Sequence, residues 1–158
     1  MTTRLVPTPV GELTLVGSPH GLRQVLWAGQ ELPERAAPAG RDEVLDEAAR
    51  QLDAYFAGHL RRFGLPLDLT GTEFQLTAWR ALADIPYGTT LSYGEQARRL
   101  GRPRAVRAVG AANGRNPLPI VLPCHRLVGS DGSLVGFGGG LALKRLLLDH
   151  EARVAAGR

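Results

Sequence analysis

The chain of 158 residues is long enough for one ordinary domain or two small ones, and its 44% of hydrophobic residues is enough for a packed core. No apolar run approaches the roughly 18 residues of a membrane-spanning helix and the start of the chain lacks a signal-peptide pattern, so we expect a cytoplasmic protein. The single cysteine, Cys124, excludes an internal disulfide and is too few for a thiolate zinc site, so we expect no metal.

The formal net charge of +4 is distributed unevenly along the chain. Residues 96–130 contain seven arginines and no acidic residue, whereas residues 31–53 contain seven acidic residues. A long segment of one sign creates a field that attracts partners of the opposite sign. The carboxyl-terminal half is therefore expected to attract a polyanion.

The first part of the chain predicts a small antiparallel sheet followed by one helix. Three strand-like runs, 4–10, 12–18 and 22–27, are separated by short turns. Residues 30–42 combine proline, glycine and charge without an apolar period, which predicts a surface loop. From Asp42 to Phe56 the apolar residues recur every three or four positions, which indicates an amphipathic helix.

The sequence changes character near residue 70, which predicts two domains, residues 1–70 and 71–158. Beyond that boundary, residues 72–75 and 92–95 both have the spacing of a capping box. In such a box an N-cap side chain and a Gln or Glu three residues later satisfy free backbone N–H groups. Each segment therefore predicts the start of a helix.

A third helix is predicted from Pro103, whose missing N–H is harmless in a first turn, to about Asn113. With the helix before it, it forms a candidate helix-turn-helix. Arg104 and Arg107 lie on it among small residues, so the helix could neutralise phosphates and approach a nucleic acid closely. The alternative for such an Ala- and Gly-rich helix is tight packing inside its own domain.

Cys124 follows the apolar, strand-like run LPIVLP and is followed by His125 and Arg126. A lone cysteine is most often a small buried hydrophobe, but a thiol beside an imidazole has a base that can assist its ionisation. An acid that orients the imidazole would complete a Cys-His-acid relay. The candidate acids downstream are Asp131, Asp149 and Glu151, among which the sequence leaves the choice open. Arg126 fits a backbone anchor or a phosphate contact equally well and is assigned no role.

The motif PCHR, the Asn-Pro upstream of it, the helix-turn-helix and the glycine-rich loop GFGGG follow one another in a distinctive order. This order and spacing resemble those of the O6-alkylguanine-DNA alkyltransferases, which are single-turnover DNA repair proteins. The resemblance covers residues 71–158. It implies an α+β fold with a small antiparallel-sheet, ribonuclease-H-like amino-terminal domain and a helical, winged-helix-like carboxyl-terminal domain.

The resemblance also implies a reaction and the residues that perform it. Cys124 would accept the alkyl group of O6-alkylguanine, with O4-alkylthymine as a secondary candidate, after the damaged nucleotide has been flipped out of the duplex. His125, acting through a water, would be the base, and Glu151 would orient it. Asn116 would support the site, and Tyr93 would assist at the guanine. The thioether product is stable, so each molecule would act once, without cofactor or metal.

A DNA-binding surface in the minor groove of duplex DNA follows from the same resemblance. Arg107 would enter the base stack where the flipped nucleotide has left, and the protein would act as a monomer, with cooperative binding on DNA an option. The other residues implied in DNA contact are Tyr93, Ala105, Ala108, Gly110 and Ala111. The residues implied in the substrate pocket are Pro119, Phe137 and Gly138. Phe137 replaces a tyrosine found in many members, so large O6 substituents are expected to be handled differently.

Two functions of other classes compete with this interpretation. A non-catalytic winged-helix protein that binds DNA or senses damage would use Cys124 only structurally, so Cys124→Ser would leave its function intact. A cysteine hydrolase with Cys124, His125 and Glu151 would turn over a small ester or amide without DNA. The solitary cysteine beside a histidine counts against the first, and the arginine-rich helix-turn-helix counts against the second.

Overall fold

In the computed structural model, which describes residues 1–38 and 40–158, the chain divides into two units, Met1–Leu69 and Thr70–Arg158. The first unit holds a sheet and one helix, and the second is mainly helical. The expected α+β fold, with a small sheet unit followed by a helical one, is confirmed. No helix in the described residues is long and apolar enough to cross a membrane.

The first unit is built on a four-stranded sheet with the strand order β3-β2-β1-β4. Its strands are β1 (Thr2–Thr8), β2 (Gly11–Ser18), β3 (Gly21–Leu26) and β4 (Ala37–Pro38). The first three strands pair antiparallel, as predicted, and β4 runs parallel to β1. The predicted loop 30–42 therefore contains a short strand, which is exposed and too short to show an alternating pattern. Ala39, within that loop, lies outside the described residues.

One helix, α1 (Glu43–Phe56), packs against this sheet. Asp42 is its N-cap, and the Asp42 carboxylate accepts hydrogen bonds from the Leu45 N–H at 3.0 Å and from the Thr2 hydroxyl at 2.8 Å. Apolar side chains at helical spacing, from Leu45 to Tyr55, are fully buried against the strands. The predicted helix over residues 42–56 is confirmed.

The backbone of β3 approaches the segment 66–68 closely. The Leu22 N–H donates to the Pro66 carbonyl at 2.9 Å, and the Asp68 N–H donates to the Leu22 carbonyl at 2.8 Å. Gly21, just before this pair, has φ +149°, and a Cβ there would lie 2.5 Å from the Pro66 carbonyl oxygen. Only glycine fits without moving one of the two segments.

Gly21→Ala is expected to lower the free energy of unfolding by about 1–3 kcal/mol, because the new Cβ meets backbone in a region of φ that L residues avoid. Gly11→Ala is the matched control, since Gly11 has φ +106° but no atom within 4 Å of its Cβ position. Urea denaturation followed by tryptophan fluorescence measures both. An equal loss in the two variants would show that the contact with Pro66 contributes nothing.

The second unit contains four helices and a short two-stranded parallel sheet among the described residues. The helices are α2 (Glu73–Leu82), α3 (Tyr93–Arg99), α4 (Val106–Gly114) and α5 (Leu141–Ala155), and the strands are β5 (Leu91–Ser92) and β6 (Leu127–Val128). Both predicted capping boxes form, at Thr72 and at Ser92, with their side-chain and backbone bonds all present. The Trp79 indole N–H donates to the Ala112 carbonyl at 2.7 Å, which ties α2 to α4.

The third predicted helix begins later than expected. It starts at Val106 rather than at Pro103, because the Ala105 N–H donates to the Arg102 carbonyl at 2.9 Å and closes a separate turn first. Ala105 is then the N-cap, without a side-chain capping bond. The helix-turn-helix pair of α3 and α4 is present, with a longer connection than the sequence suggested.

The apolar run Leu118–Pro123 is a buried turn and not the predicted strand. Two of its six residues are prolines, which lack the N–H that a strand ladder requires. The Leu122 N–H donates back to the Leu118 carbonyl at 2.8 Å, and Ile120 has φ +73°, which is rare for a β-branched residue. The turn brings the chain into the short 3₁₀ turn Cys124–Arg126.

Candidate active site

Cys124 lies at the start of this 3₁₀ turn, and its side chain is buried. Its N–H donates to the Leu122 carbonyl at 2.7 Å. Asn116 clamps the same turn from both ends: its Nδ2 donates to the Leu122 carbonyl at 2.8 Å and its Oδ1 accepts from the Leu118 N–H at 3.0 Å. The Asn116 amide therefore fixes the backbone that presents the thiol.

The Cys124 thiol is neutral in the resting protein. Burial raises its pKa to about 11, although a hydrogen bond from Asn116 and the charge of Lys144 both lower it. Removing the thiol proton therefore requires a base within the site, because the environment alone does not ionise the sulfur.

A buried cluster of three residues lies beside the cysteine. His125 is fully buried, and its Nε2 lies 2.7 Å from a carboxylate oxygen of Glu151. The guanidinium of Arg126 contacts both oxygens of the same carboxylate, at 2.8 Å and 3.0 Å. Of the three candidate acids, the structure brings Glu151 to His125, whereas Asp131 and Asp149 are exposed.

The protonation states in this cluster follow from its contacts. Burial would raise the pKa of Glu151, but hydrogen bonds from His125 and Arg126 outweigh it and hold the pKa well below its usual range. Burial lowers the pKa of His125 more than the Glu151 carboxylate raises it, so the imidazole is neutral. Because a carboxylate can only accept, His125 Nε2 carries the ring proton and Nδ1 is left as the basic atom. Nδ1 is buried with no partner among the described residues.

Arg126 is a site residue to which sequence reasoning assigned no role. Besides its two bonds to Glu151, its Nη1 donates to the Ile85 carbonyl at 2.7 Å, and its guanidinium lies 5.4 Å from the centre of the Tyr87 ring. These partners are 25 to 41 residues away in sequence. No local pattern around residue 126 could have indicated them.

A second group of contacts lies around Tyr93, at the start of α3. The half-buried Tyr93 hydroxyl donates to the Val135 carbonyl at 2.9 Å, and Lys144 Nζ lies 3.4 Å from the same hydroxyl oxygen and 3.1 Å from the Val135 oxygen. Burial raises the pKa of Tyr93 and lowers that of Lys144. The phenol therefore keeps its proton at neutral pH. Lys144, fully buried on α5, is another residue that the sequence did not single out.

Helix α4 presents a basic face of small and arginine side chains. Its apolar residues Val109 and Ala112 are buried. The exposed residues on the helix and next to its two ends are Arg104, Val106, Arg107, Ala108, Ala111, Gly114 and Arg115. Most of these residues are three or four positions apart along the helix, so they lie on one face of it. Among the predicted DNA contacts, Ala105 and Gly110 are half-exposed and the other helix residues are exposed.

The three predicted pocket residues have different environments. Pro119 is buried in the turn before Cys124, Phe137 is half-exposed, and Gly138 is exposed in the irregular loop before α5. Among the described residues, no group of three or more His, Cys, Asp or Glu side chains could hold a metal ion.

The raised pKa of the only thiol predicts its reactivity toward a small reagent. Below pH 11 the neutral form dominates, so the rate of alkylation by iodoacetamide should rise about tenfold per pH unit and level off only near pH 11. In urea the rate should level off near the ordinary pKa of 9.0. Intact mass measures the rate, with Cys124→Ser as a blank. A plateau near pH 9 in the folded protein would contradict the burial argument.

Two family models match the chain: "6-O-methylguanine DNA methyltransferase, ribonuclease-like domain" over residues 1–69, and "6-O-methylguanine DNA methyltransferase, DNA binding domain" over residues 73–153. The methylated-DNA–protein-cysteine methyltransferase of Mycobacterium leprae is 48% identical over 149 residues, which are 94% of this chain and 90% of that protein. That of Methanosarcina acetivorans is 46% identical over 148 residues, 91% of this chain and 94% of that protein.

Among solved structures, the Mycobacterium tuberculosis OGT in complex with DNA superimposes with a TM-score of 0.91 at 45% sequence identity. The match covers 98% of this chain and 94% of that one.

Proposed function

Since the chain belongs to the 6-O-methylguanine DNA methyltransferase family, we propose that it repairs DNA by moving the alkyl group of O6-alkylguanine irreversibly to Cys124. The observation that carries the proposal is the solitary buried thiol next to His125, whose free Nδ1 is left basic by Glu151 and Arg126. The enzyme class is that of the methylated-DNA–protein-cysteine methyltransferases.

The proposed transfer is a displacement at a saturated carbon. The Cys124 sulfur forms a bond to the alkyl carbon, its proton passes through a water to His125 Nδ1, and the carbon–oxygen bond breaks with its electron pair going to guanine. Glu151 stabilises the imidazolium that forms. Tyr93 donates a hydrogen bond to the departing guanine, so the base must replace the Val135 carbonyl as the acceptor of that hydrogen. The guanine anion then takes up one proton while the imidazolium of His125 releases one, so both end neutral. The thioether has no group that water displaces readily, so each molecule acts once.

The second unit is also the proposed DNA-binding domain, and the first is proposed to be structural. The relative from Mycobacterium tuberculosis is described in complex with DNA, and the exposed arginines on and beside α4 of this chain fit a phosphate backbone. We assign α4 to the minor groove, with Arg107 filling the gap left by the flipped nucleotide and Ala108 and Ala111 permitting close approach. The protein is proposed to act as a cytoplasmic monomer.

The competing functions are disfavoured. A hydrolase has no use for a basic helix-turn-helix, and its relatives would not carry the name of a methyltransferase. A non-catalytic DNA-binding protein would not need the buried His125, Glu151 and Arg126 beside the thiol, because burying such charges costs free energy.

Methyl transfer can be tested by intact and peptide mass spectrometry after mixing equimolar protein and duplex DNA with one O6-methylguanine. The mass should increase by one methyl group in place of one hydrogen, at Cys124, and saturate at one per molecule. Cys124→Ser should bind the duplex and remain unmodified. If the wild-type protein binds the lesion but gains no mass, Cys124 is not an acceptor and a damage-sensing role replaces the proposal.

Arg107→Ala is expected to slow repair of duplex DNA by about 10-fold or more while changing alkylation by free O6-benzylguanine by less than about 2-fold, because only the duplex requires the flipped state to be stabilised. Arg98→Ala, an exposed arginine on α3, is the control for loss of one positive charge. Rates come from quenched reactions analysed by mass. A similar loss with both substrates would refute a role for Arg107 in flipping.

A further inference from the structure

The end of α3 and the connection from α3 to α4 carry a cluster of positive charge. Four arginines lie within seven residues, Arg98, Arg99, Arg102 and Arg104, and all four are exposed. Among the described residues, none of them forms an ion pair or a side-chain hydrogen bond. Like charges this close repel one another, so the cluster costs stability unless a partner of opposite charge binds it.

The backbone of Arg102 is fixed between the two helices. Its N–H donates to the Ala97 carbonyl at 2.9 Å, and its own carbonyl accepts from the Ala105 N–H at 2.9 Å. Pro103 follows, and the proline ring fixes the φ angle there. Arg102 is therefore presented from a rigid turn rather than from a flexible loop.

The side chain of Arg102 is also oriented by a contact. Its guanidinium lies 5.6 Å from the centre of the ring of Phe74, a half-exposed residue of α2. The two side chains line a surface cleft of about 360 Å³ together with Glu73, which forms no ion pair with Arg102 among the described residues. Stacking on a ring restricts the planar guanidinium and leaves the N–H groups at its edge available. An arginine oriented before binding loses less side-chain freedom when it binds.

This oriented arginine lies beside the helix that we assign to the minor groove. In a helix-turn-helix pair the second helix enters a groove, and the first crosses the sugar-phosphate backbone. The connection between them then lies at the edge of the groove, where the phosphates are. A guanidinium can donate two parallel hydrogen bonds to a phosphate, so Arg102 matches this partner in charge and in geometry.

We propose that Arg102, stacked on Phe74, binds a backbone phosphate of the DNA strand that borders the groove entered by α4. The inference rests on the proposed function, and it adds a contact outside both α4 and the candidate active site. Phosphate contacts position a protein on the duplex and carry no information about the base. Arg102 is therefore expected to hold damaged and undamaged DNA equally.

The test measures affinity for an undamaged duplex by fluorescence anisotropy at a series of salt concentrations from about 50 to 200 mM. Each phosphate contact contributes about 0.9 to the slope of log K against log salt concentration. Arg102→Ala should reduce the slope by about 0.9 and weaken binding about 3- to 10-fold near 100 mM salt. Its alkylation by free O6-benzylguanine should stay within about 2-fold of wild type, which also shows that the variant is folded.

Phe74→Leu separates orientation from charge, because it removes the ring face and leaves every positive charge in place. It should weaken binding about 2- to 3-fold without changing the slope, and an unchanged affinity would show that the stacking contributes nothing. Arg153→Ala is the matched control, since Arg153 is an exposed arginine near the end of α5. Its slope should stay within about 0.3 of the wild-type value.

The failure of this inference differs from the failure of the proposed function. If Arg102→Ala keeps the wild-type slope, or Arg102→Gln does so should the alanine variant not fold, Arg102 binds no phosphate and the inference is wrong. Methyl transfer to Cys124 by the same proteins would then leave the proposed function intact. An equal reduction of the slope in Arg153→Ala would show that only net charge matters, which also overturns the inference. A wild-type protein that does not bind duplex DNA contradicts both.

Discussion

The ion pair between Glu151 and Arg126 is the interaction on which the rest of the site depends. A buried carboxylate whose only hydrogen-bond partner is a neutral imidazole would take up a proton, because burial raises its pKa. The guanidinium prevents this by contacting both oxygens. A carboxylate that stays ionised can only accept hydrogen bonds, so it fixes the proton of His125 on Nε2. One buried charge pair thereby decides which imidazole nitrogen is left as the basic atom.

The same pair joins segments that are distant in sequence. Glu151 belongs to α5, and Arg126 follows the turn that Asn116 holds and also binds the carbonyl of Ile85, just beyond α2. The Gly88 N–H lies 3.3 Å from the Glu151 carboxylate. The site therefore lies where several loops of the second unit meet. The turn that presents Cys124 is fixed by Asn116 before it and by Arg126 after it.

The sequence predicts those parts of the fold whose causes are local. The capping boxes at Thr72 and Ser92 need only residues three positions apart, and both form as predicted. The turn Leu118–Pro123 was wrongly predicted as a strand, because an apolar run shows burial but not the conformation that two prolines and Ile120 impose. The start of α4 was misplaced because a competing turn lies just before it.

The site residues also divide into those that local sequence indicates and those that it does not. Cys124 and His125 are adjacent, so their sequence positions alone indicate a reactive pair. The choice of Glu151 among three acids required a family resemblance, since 26 residues separate it from His125. Arg126 and Lys144 could not be identified, because their contacts run between elements far apart in the chain. The residues that carry charge and hydrogen bonds across the fold are those that a linear reading misses.

Burial of the Cys124 thiol also affects how long the protein stays competent. Peroxides and other cellular oxidants attack the thiolate, and with a pKa of about 11 only about one molecule in ten thousand carries that form at pH 7. A protein that uses its sulfur once gains nothing from a permanently ionised nucleophile, since sulfenic acid formation would consume it as surely as a lesion does. Keeping the proton in place until a substrate enters makes the thiol slow toward oxidants and preserves it for repair.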